Sequence, residues 1–400
     1  MARLLICAGG TGGGVYPALV VRQALGDSAD PVLWVGGEGG MEAGLVQRAG
    51  IPFRAIPAGQ VAGMGLRTLP NLLKAYQGML AARRILKEFK PDVVLFTGGY
   101  VAVPMALAAS GLAGARKIPS LVYTPDIEPG LALKLLARFA SLLALTTAEA
   151  RQYFSPKKPT VVTGYPTRPD LLDWDRAKAF AHFGLQPNRF TLLVTGGSKG
   201  ARSINRTLLA VLPDLLGVMQ VIHISGQMDW AEVEAAQKQL PAGLAESYRA
   251  YPYLHAMGAA LAAASLVISR AGASTLGEYP LFGLPAILVP YPHAWRYQKT
   301  NAAYLVDHGA AQMIEDAQLS AQLLPAVLEL SRDSKRLQKM RAAMQSLARP
   351  QAARHMADLV LRLAAHPASA REMLAENHSL AELPHAEMPP ANQPQKPREK

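Results

Sequence analysis

Two stretches of similar sequence decide the fold: Leu5-Ile6-Cys7-Ala8-Gly9-Gly10-Thr11-Gly12 and Leu192-Leu193-Val194-Thr195-Gly196-Gly197-Ser198-Lys199-Gly200. In each, an apolar segment leads into two glycines and a hydroxyl residue, and a helical pattern follows. This is the pattern of the first strand, turn and helix of a doubly wound nucleotide-binding domain. Two copies far apart in one chain therefore predict two such domains.

The segments around each copy alternate between apolar strands and helical patterns, which is typical of parallel βαβ units. The sequence thus predicts an α/β protein with two Rossmann-like domains. We expect Pro17 in the first turn of its helix, where a missing N–H costs little. The strands are predicted over 4–8, 32–36, 92–97, 218–224, 266–269 and 286–290, and the helices over 16–25, over 273–282 and in three stretches from Leu319 onward.

Turn residues and composition divide the chain. Tyr165-Pro166-Thr167-Arg168-Pro169 cannot form a regular element, so we place the boundary between the domains there. A final helix is expected to pack back on the first domain, and a segment rich in Pro, Glu, Ala and His predicts a disordered tail. The predicted parts are 1–165, 166–348, the helix 349–365 and the tail 366–400.

Composition narrows the class of protein. Half of the 400 residues are hydrophobic, and the formal net charge of +12 favours anionic partners. No Lys/Arg block with interleaved aromatic residues occurs, which argues against nucleic acid. No apolar run approaches the about 20 residues of a membrane span, and the N-terminal apolar run is too short for a signal peptide. With Cys7 as the single cysteine, we expect a small buried residue and a protein of the reducing cytoplasm.

Three elements have the chemistry of phosphate sites. The first glycine loop lets backbone approach a ligand, and NAD binding, with Glu38 after the second strand, or a plain tight turn both stay open there. The second loop adds Ser198 and two cations and suits a diphosphate, but it lacks the Walker order. The third, 270–278, places small residues and hydroxyls at a helix start, with Glu278 able to accept from ribose hydroxyls. A helix cap at Ser274 is its structural alternative.

Other polar residues are weaker candidates. Asp173-Trp174-Asp175 resembles a metal motif, but it precedes a helical pattern, so we expect a helix-start charge pair and no obligatory metal or cofactor. His223 lies inside an apolar strand and is expected to be a hydrogen-bonded core residue. His293 follows a strand, where a ligand contact is plausible.

Apolar and basic residues mix over 61–90. An apolar surface edged by cations suits contact with anionic lipid, and an ordinary amphipathic helix packed on its own core is the alternative. The apolar members are Met64, Leu66, Leu69, Leu72, Leu73, Met79 and Leu80, and the basic ones are Arg67, Lys74, Arg83, Arg84 and Lys87.

Several motifs, in order from residue 3 to about residue 360, resemble the MurG family of peptidoglycan N-acetylglucosaminyltransferases. The resemblance implies a GT-B glycosyltransferase fold and inverting transfer of GlcNAc from UDP-GlcNAc to MurNAc-pentapeptide on undecaprenyl diphosphate. It implies a peripheral place on the cytoplasmic face of the bacterial membrane. The motifs are Gly10-Thr11-Gly12-Gly13, Met41-Glu42 with Leu45-Val46, Pro91-Asp92-Val93-Val94, Gly98-Gly99-Tyr100-Val101, Gly164 with Pro166 and Arg168, Gly196-Gly197-Ser198 with Gly200-Ala201-Arg202, and Gly283-Leu284-Pro285-Ala286.

The resemblance also implies roles for individual residues. The first loop would face the donor sugar and the acceptor diphosphate, and other residues would hold the donor diphosphate, the uracil, the phosphate with the ribose, and the GlcNAc hydroxyls. Arg67 and Lys74 lie where the family docks on the membrane. In the same order, the site residues are Thr11, Gly12 and Gly13; Arg168 and Ser198; Leu254; Ala273, Ser274, Thr275, Leu276, Gly277 and Glu278; and Gln298.

The chain departs from the family on the acceptor side. The family's usual candidate base, a histidine, is Gly14 here, and its His-Glu-Gln-Asn stretch reads Tyr123-Thr124-Pro125-Asp126. The paired glutamines near the donor sugar become Tyr297-Gln298. Since Gly14 cannot take a proton, Asp126 is the candidate replacement base. These departures keep two alternatives open, a transferase for another lipid acceptor and a non-catalytic UDP-sugar-binding protein, with an NAD-dependent dehydrogenase more distant.

Overall fold

The computed structural model describes residues 1–9, 12–40, 42–58, 68–111, 116–293 and 297–366. These residues form two parallel β-sheets, one in each half of the chain, with helices on both faces. The predicted α/β fold with two Rossmann-like domains is confirmed. None of the helices in these ranges is long and apolar enough to cross a membrane.

The first domain is built on a seven-stranded sheet. Its strands are β1 (Leu4–Ala8), β2 (Val32–Gly37), β3 (Phe53–Ile56), β4 (Val93–Gly98), β5 (Ser120–Thr124), β6 (Leu142–Leu145) and β7 (Thr160–Val162). They lie in the order β3-β2-β1-β4-β5-β6-β7. Its helices are α1 (Gly12–Leu25), α2 (Glu42–Arg48), α3 (Thr68–Phe89), α4 (Ala102–Ala109) and α5 (Leu131–Phe139).

The second domain repeats this arrangement on a six-stranded sheet. Its strands are β8 (Thr191–Thr195), β9 (Gln220–Ile224), β10 (Tyr248–Tyr251), β11 (Leu266–Ser269), β12 (Ala286–Leu288) and β13 (Ala311–Met313), in the order β10-β9-β8-β11-β12-β13. The order of strands around the first strand is thus the same in both domains. Its helices are α6 (Arg176–Phe183), α7 (Arg202–Val218), α8 (Trp230–Lys238), α9 (Ala242–Ala245), α10 (Met257–Ala263), α11 (Thr275–Phe282), α12 (Tyr297–Asp307), α13 (Leu319–Arg332) and α14 (Ser334–Ser346).

The chain crosses between the domains twice, and the two crossings touch. Gly164 has a φ of +90°, and a Cβ there would overlap the side chain of Arg349. After this point the last helix, α15 (Ala352–Ala365), returns to the first domain. Its Met356 and Val360 are fully buried in the core cluster that contains Leu4. The first domain therefore receives part of its core from the far end of the chain.

Most of the predicted elements are confirmed, but several of their bounds are wrong. Helix α11 begins at Thr275, two residues later than predicted, and β12 ends at Leu288, two residues earlier. Val218 ends α7 with its side chain 55% exposed, so β9 begins only at Gln220. Helix α1 begins at Gly12 rather than at Tyr16, which places Pro17 inside the helix and beyond its first turn. The predicted tail, apart from His366, lies outside the described residues, as does most of the basic and apolar stretch before α3.

Candidate active site

Most of the predicted site residues follow the carboxyl ends of strands, the edge at which parallel α/β sheets bind ligands. Thr11 lies outside the described residues. Gly12 and Gly13 follow β1, Asp126 follows β5, Ser198 follows β8, Leu254 follows β10, Ala273 to Glu278 follow β11, and Gln298 follows β12.

The start of α1 is packed tightly against the end of β4. The Thr97 hydroxyl donates to the carbonyl oxygen of Gly14 at 2.6 Å, and a Cβ on Gly14 would lie 2.9 Å from the carbonyl oxygen of Thr97. Gly99, with a φ of +90°, approaches the backbone of Gly9 so closely that a side chain would overlap it. Position 14 therefore has no room for a side chain, and the absence of the family histidine is built into the packing.

A buried carboxylate lies beneath the first glycine loop. Glu42 is 1% exposed and accepts a hydrogen bond from the backbone N–H of Gly37 at 2.8 Å. A Cβ on Gly9 or on Gly40 would overlap its carboxylate. In the sequence, Glu42 was identified only as part of a motif. In the structure, its carboxylate leaves no space for side chains at the surrounding positions, which are therefore glycines.

The stretch between the domains packs against the start of α11. A Cβ on Gly277 would lie 2.8 Å from Cβ of Tyr165, so only glycine allows this approach. Burial raises the pKa of Tyr165 above its ordinary range, Glu278 and Asp126 raise it further, and Arg168 lowers it. Tyr165 thus holds the segment that carries Arg168 against the helix that carries Glu278. The sequence had placed it only at a domain boundary.

Glu278 is held in an environment that favours its neutral form. Burial raises its pKa to about 7, while Arg168 lowers it and Asp170 raises it. Arg168 keeps 37% of its side chain exposed and lies 3.6 Å from Asp170. Ser274 precedes α11 but makes no capping hydrogen bond through its side chain, so the cap alternative is wrong. At the start of α11 the hydroxyl of Thr275 instead donates a hydrogen bond to the carbonyl oxygen of Gly272 at 2.7 Å.

The second glycine loop rests on a buried polar network. His223 is fully buried and hydrogen-bonded, as predicted, and burial lowers its pKa to about 3. The Asn205 amide nitrogen donates to the Ser225 carbonyl oxygen at 2.8 Å and to the Asp229 carboxylate at 2.9 Å. The Asn205 amide oxygen must therefore accept from Nε2 of His223, at 2.9 Å, and the Tyr248 hydroxyl must donate to Nδ1, at 2.7 Å.

The network reaches the loop through Arg202, whose Nε donates to Asp229 at 2.9 Å. Gly200 has a φ of +78° and contacts the backbone of Ser225, so the loop lies directly on this layer. Ser198 is exposed at the tip of the loop. The network fixes the loop and leaves Ser198 free to meet a ligand from solvent.

Asp126 lies where the two domains meet. Its Oδ1 accepts a hydrogen bond from the amide nitrogen of Asn301 at 2.8 Å. Burial raises the pKa of Asp126, and this hydrogen bond lowers it. Asn301 was not predicted, although it follows Gln298 by one turn of α12, which is the spacing of residues on one helix face.

Some predicted residues are not joined to this group by hydrogen bonds. Leu254 is half-buried against the core of the second domain. The side-chain oxygen of Gln298 accepts from the backbone N–H of Tyr291 at 2.8 Å, and His293 is exposed beside the Tyr291 ring. Asp175 caps α6 by accepting from Lys178 N at 2.8 Å, as the helix-start interpretation predicted. In the ranges that the structure covers, no cluster of His, Cys, Asp and Glu could hold a metal ion.

Comparison with known proteins agrees with this arrangement. The glycosyltransferase family 28 N-terminal domain matches residues 4–145, and the C-terminal domain of the same family matches residues 191–356. A protein of Roseiflexus sp. (strain RS-1), named UDP-N-acetylglucosamine–N-acetylmuramyl-(pentapeptide) pyrophosphoryl-undecaprenol N-acetylglucosamine transferase, is 39% identical, over 90% of this chain and 94% of its own length. A protein of the same name from Desulforamulus reducens is 38% identical, over 88% and 95%.

A solved structure gives the same result. The crystal structure of MurG from Acinetobacter baumannii superposes with a TM-score of 0.74 and 29% identity, and covers 90% of this chain and all of that one. The two repeated parallel sheets are thus shared with that protein. The chain belongs to glycosyltransferase family 28 and, within it, to the MurG family.

Proposed function

We propose that this chain transfers GlcNAc from UDP-GlcNAc to undecaprenyl-diphosphate-linked MurNAc-pentapeptide, a step of peptidoglycan synthesis on which cell shape and division depend. The relatives named for this reaction match the chain over nearly their whole length. One arrangement carries the proposal: Tyr165, three residues before Arg168, packs against Gly277 next to Glu278, and Asn301 joins Asp126 to Ala271 just before α11. It brings a cation for the diphosphate, an acceptor for the ribose and a base for the sugar hydroxyl into one place.

The donor half follows from the second domain. In the segment from Ala273 to Glu278, the backbone N–H groups from Thr275 onward donate to carbonyl oxygens of the same turn, which leaves those of Ala273 and Ser274 for a phosphate. The Glu278 carboxylate accepts from the ribose hydroxyls. Arg168 and Ser198 hold the diphosphate, Leu254 lies against the uracil, and Gln298 binds the GlcNAc hydroxyls. Positive charge at the diphosphate stabilises UDP as it leaves.

Residues of the first domain bind the acceptor and remove its proton. Gly12 and Gly13 face the donor sugar and the acceptor diphosphate, and Thr11, to which the resemblance gives the same role, lies outside the described residues. The acceptor hydroxyl attacks the anomeric carbon of GlcNAc, the bond from that carbon to the UDP oxygen breaks, and Asp126 takes the hydroxyl proton. One oxygen of Asp126 accepts from Asn301, and the other makes no hydrogen bond with any residue that the structure describes. That second oxygen is the one we assign to the proton.

Transfer of labelled GlcNAc from its UDP form tests the reaction. We expect product with undecaprenyl-linked MurNAc-pentapeptide and none with diacylglycerol. Asp126→Asn should lower turnover by about 10²- to 10⁴-fold, the usual contribution of a general base, while UDP binding by calorimetry is kept. Near-normal turnover of Asp126→Asn at saturating substrates would remove Asp126 from this role. Transfer only to the other lipid, or UDP-GlcNAc binding without transfer, would favour the alternatives.

We also propose that α3 docks the first domain on an anionic membrane surface. Tyr76 and Leu80 expose 55% and 45% of their surface, and the exposed cations Lys74 and Arg84 lie on the same helix. Met64, Leu66 and Arg67, which the sequence adds to this surface, lie outside the described residues. An apolar patch edged by cations suits the boundary of anionic lipid headgroups.

Vesicle sedimentation tests this docking. Binding should require phosphatidylglycerol in the vesicles and weaken as salt is raised, because each cation contributes about 1 kcal/mol near an anionic surface. Lys74→Glu with Leu80→Ser should abolish it, whereas Arg206→Glu on the second domain should not. Equal binding of the double variant and the wild type would exclude α3 as the docking element.

A further inference from the structure

Asn301 is fully buried at the contact between the domains, and each polar atom of its side chain has a partner. Its amide nitrogen donates to Asp126 Oδ1 at 2.8 Å and to the carbonyl oxygen of Ala271 at 3.1 Å. Its amide oxygen accepts from the backbone N–H of Ile127 at 3.1 Å. A flipped amide would set its oxygen against a carboxylate and a carbonyl, so these partners fix its orientation.

These partners come from separate parts of the proposed site. Asp126 and Ile127 follow β5 of the first domain, whereas Ala271 directly precedes the segment that would bind phosphate and ribose. Ile127 is buried within the core cluster of the second domain. The loop that carries Asp126 is therefore anchored in the second domain by an apolar side chain as well as by Asn301.

We propose that Asn301 is a positioning residue, which holds the Asp126 carboxylate in place for proton removal and ties that place to the donor-binding domain. This rests on the proposed function, in which Asp126 is the base. The amide of Asn301 fixes one carboxylate oxygen, so the other is aimed at the acceptor hydroxyl. The base is set only while the second domain is docked, so proton removal is coupled to the domain that carries the donor.

The surroundings of Asp126 predict a pH signature. Tyr123 on β5 and Tyr165 between the domains face it, and burial raises the pKa of both hydroxyls, so they stay neutral at the pH of the assay. Glu278 faces Tyr165 from α11, and Glu128, paired with Lys134, lies two residues along the same loop. The Asn301 amide lowers the pKa of Asp126, so its removal raises that pKa. A base must be deprotonated, and the acid limb of the kcat profile then moves to higher pH.

A double-mutant cycle separates positioning from mere stability. Asn301→Ala should lower kcat by about 10- to 100-fold, as expected for a misplaced catalytic group, and shift the acid limb upward. UDP affinity by calorimetry should be kept. In an Asp126→Ala background, Asn301→Ala should cause little further loss, because the two residues act together. Asn301→Ser, which keeps one donor, should recover part of kcat and replaces the alanine variant if that one fails to fold.

Thr300→Val is the matched control, since the Thr300 hydroxyl reaches Glu128 of the same loop at 3.4 Å but not Asp126. Its acid limb should stay where it is in the wild type. Losses that add in the Asp126→Ala background, or an unshifted acid limb in Asn301→Ala, would overturn the proposal. Failure of the proposed function differs, because the wild type would then transfer no GlcNAc or Asp126→Ala would keep its turnover.

Discussion

The burial of Glu278 destabilises the ligand-free protein, and we expect a bound ligand to relieve this destabilisation. Burial raises its pKa from 4.5 to about 7, so the folded protein holds a proton that the unfolded chain has already released. As the pH rises from 4.5 to about 7, the folded protein loses the stability that the neutral Glu278 side chain gives it relative to the unfolded chain. The full loss in the free energy of unfolding is on the order of 3 kcal/mol. A carboxylate kept partly dehydrated in this way is ready to accept hydrogen bonds from ribose hydroxyls.

We therefore predict that Glu278→Gln raises the melting temperature of the free protein at pH 8 and leaves it unchanged at pH 4.5. The same variant should bind UDP about 10- to 100-fold more weakly at pH 8, since it loses hydrogen bonds to a charged group. Thermal melts and calorimetry across this pH range measure both effects. A variant that is less stable at pH 8 without ligand would show that Glu278 is a structural carboxylate.

The sequence predicted the site residues that lie in recognisable motifs. It missed the site residues whose contacts are with residues far away along the chain. Glu278 lies in a local pattern with clear chemistry, and Arg168 was found through its place in a family motif. Asn301 acts through Asp126, which is 175 positions away along the chain. Tyr165 was assigned to a domain boundary, because only the folded structure brings α11 against it. Contacts across the domain interface leave no local signal, since residue spacing describes one element at a time.

At the scale of the element, α1 shows packing overriding propensity. Gly12, Gly13 and Gly14 disfavour helix, which is why the sequence predicted a start at Tyr16. The structure begins the helix at Gly12, and the close approach of Gly14 to Thr97 explains why a glycine stands in its first turn. Packing also explains why the strands were easier to predict. β1 and β11 are short apolar segments, and their burial decides their conformation.

We predict that Gly14→Ala destabilises the protein by about 1–3 kcal/mol, because a new Cβ must displace the Thr97 backbone. Gly14→His should be at least as damaging, and it should not restore the family's base. Gly217→Ala is the control: this glycine lies inside α7 with no atom near its Cβ position, so alanine should stabilise by about 0.4–1 kcal/mol. Denaturant unfolding compares them, and equal effects of the two alanine variants would contradict the tight packing of α1.

At the scale of the molecule, the position of a helix along the chain does not decide which domain core it packs into. Helix α15 follows the second domain in sequence, yet Met356, Val360 and Leu363 are fully buried with β1 and α1 of the first. The crossing at Gly164 and Arg349 brings both connections to one point. Both connections between the domains therefore pass through the same point.

This arrangement predicts which half of the molecule a core substitution in α15 weakens. Met356→Ala should cost about 2–5 kcal/mol, the usual range for a buried methionine, and the loss should fall on the first domain. Leu330→Ala in α13 is the matched control, since Leu330 is fully buried in the second domain. Calorimetric melts with and without UDP assign the transitions, because UDP should raise only the second domain's. If Met356→Ala lowers the transition that UDP raises, α15 contributes its stability to the donor-binding domain, and the first domain must be stable without it.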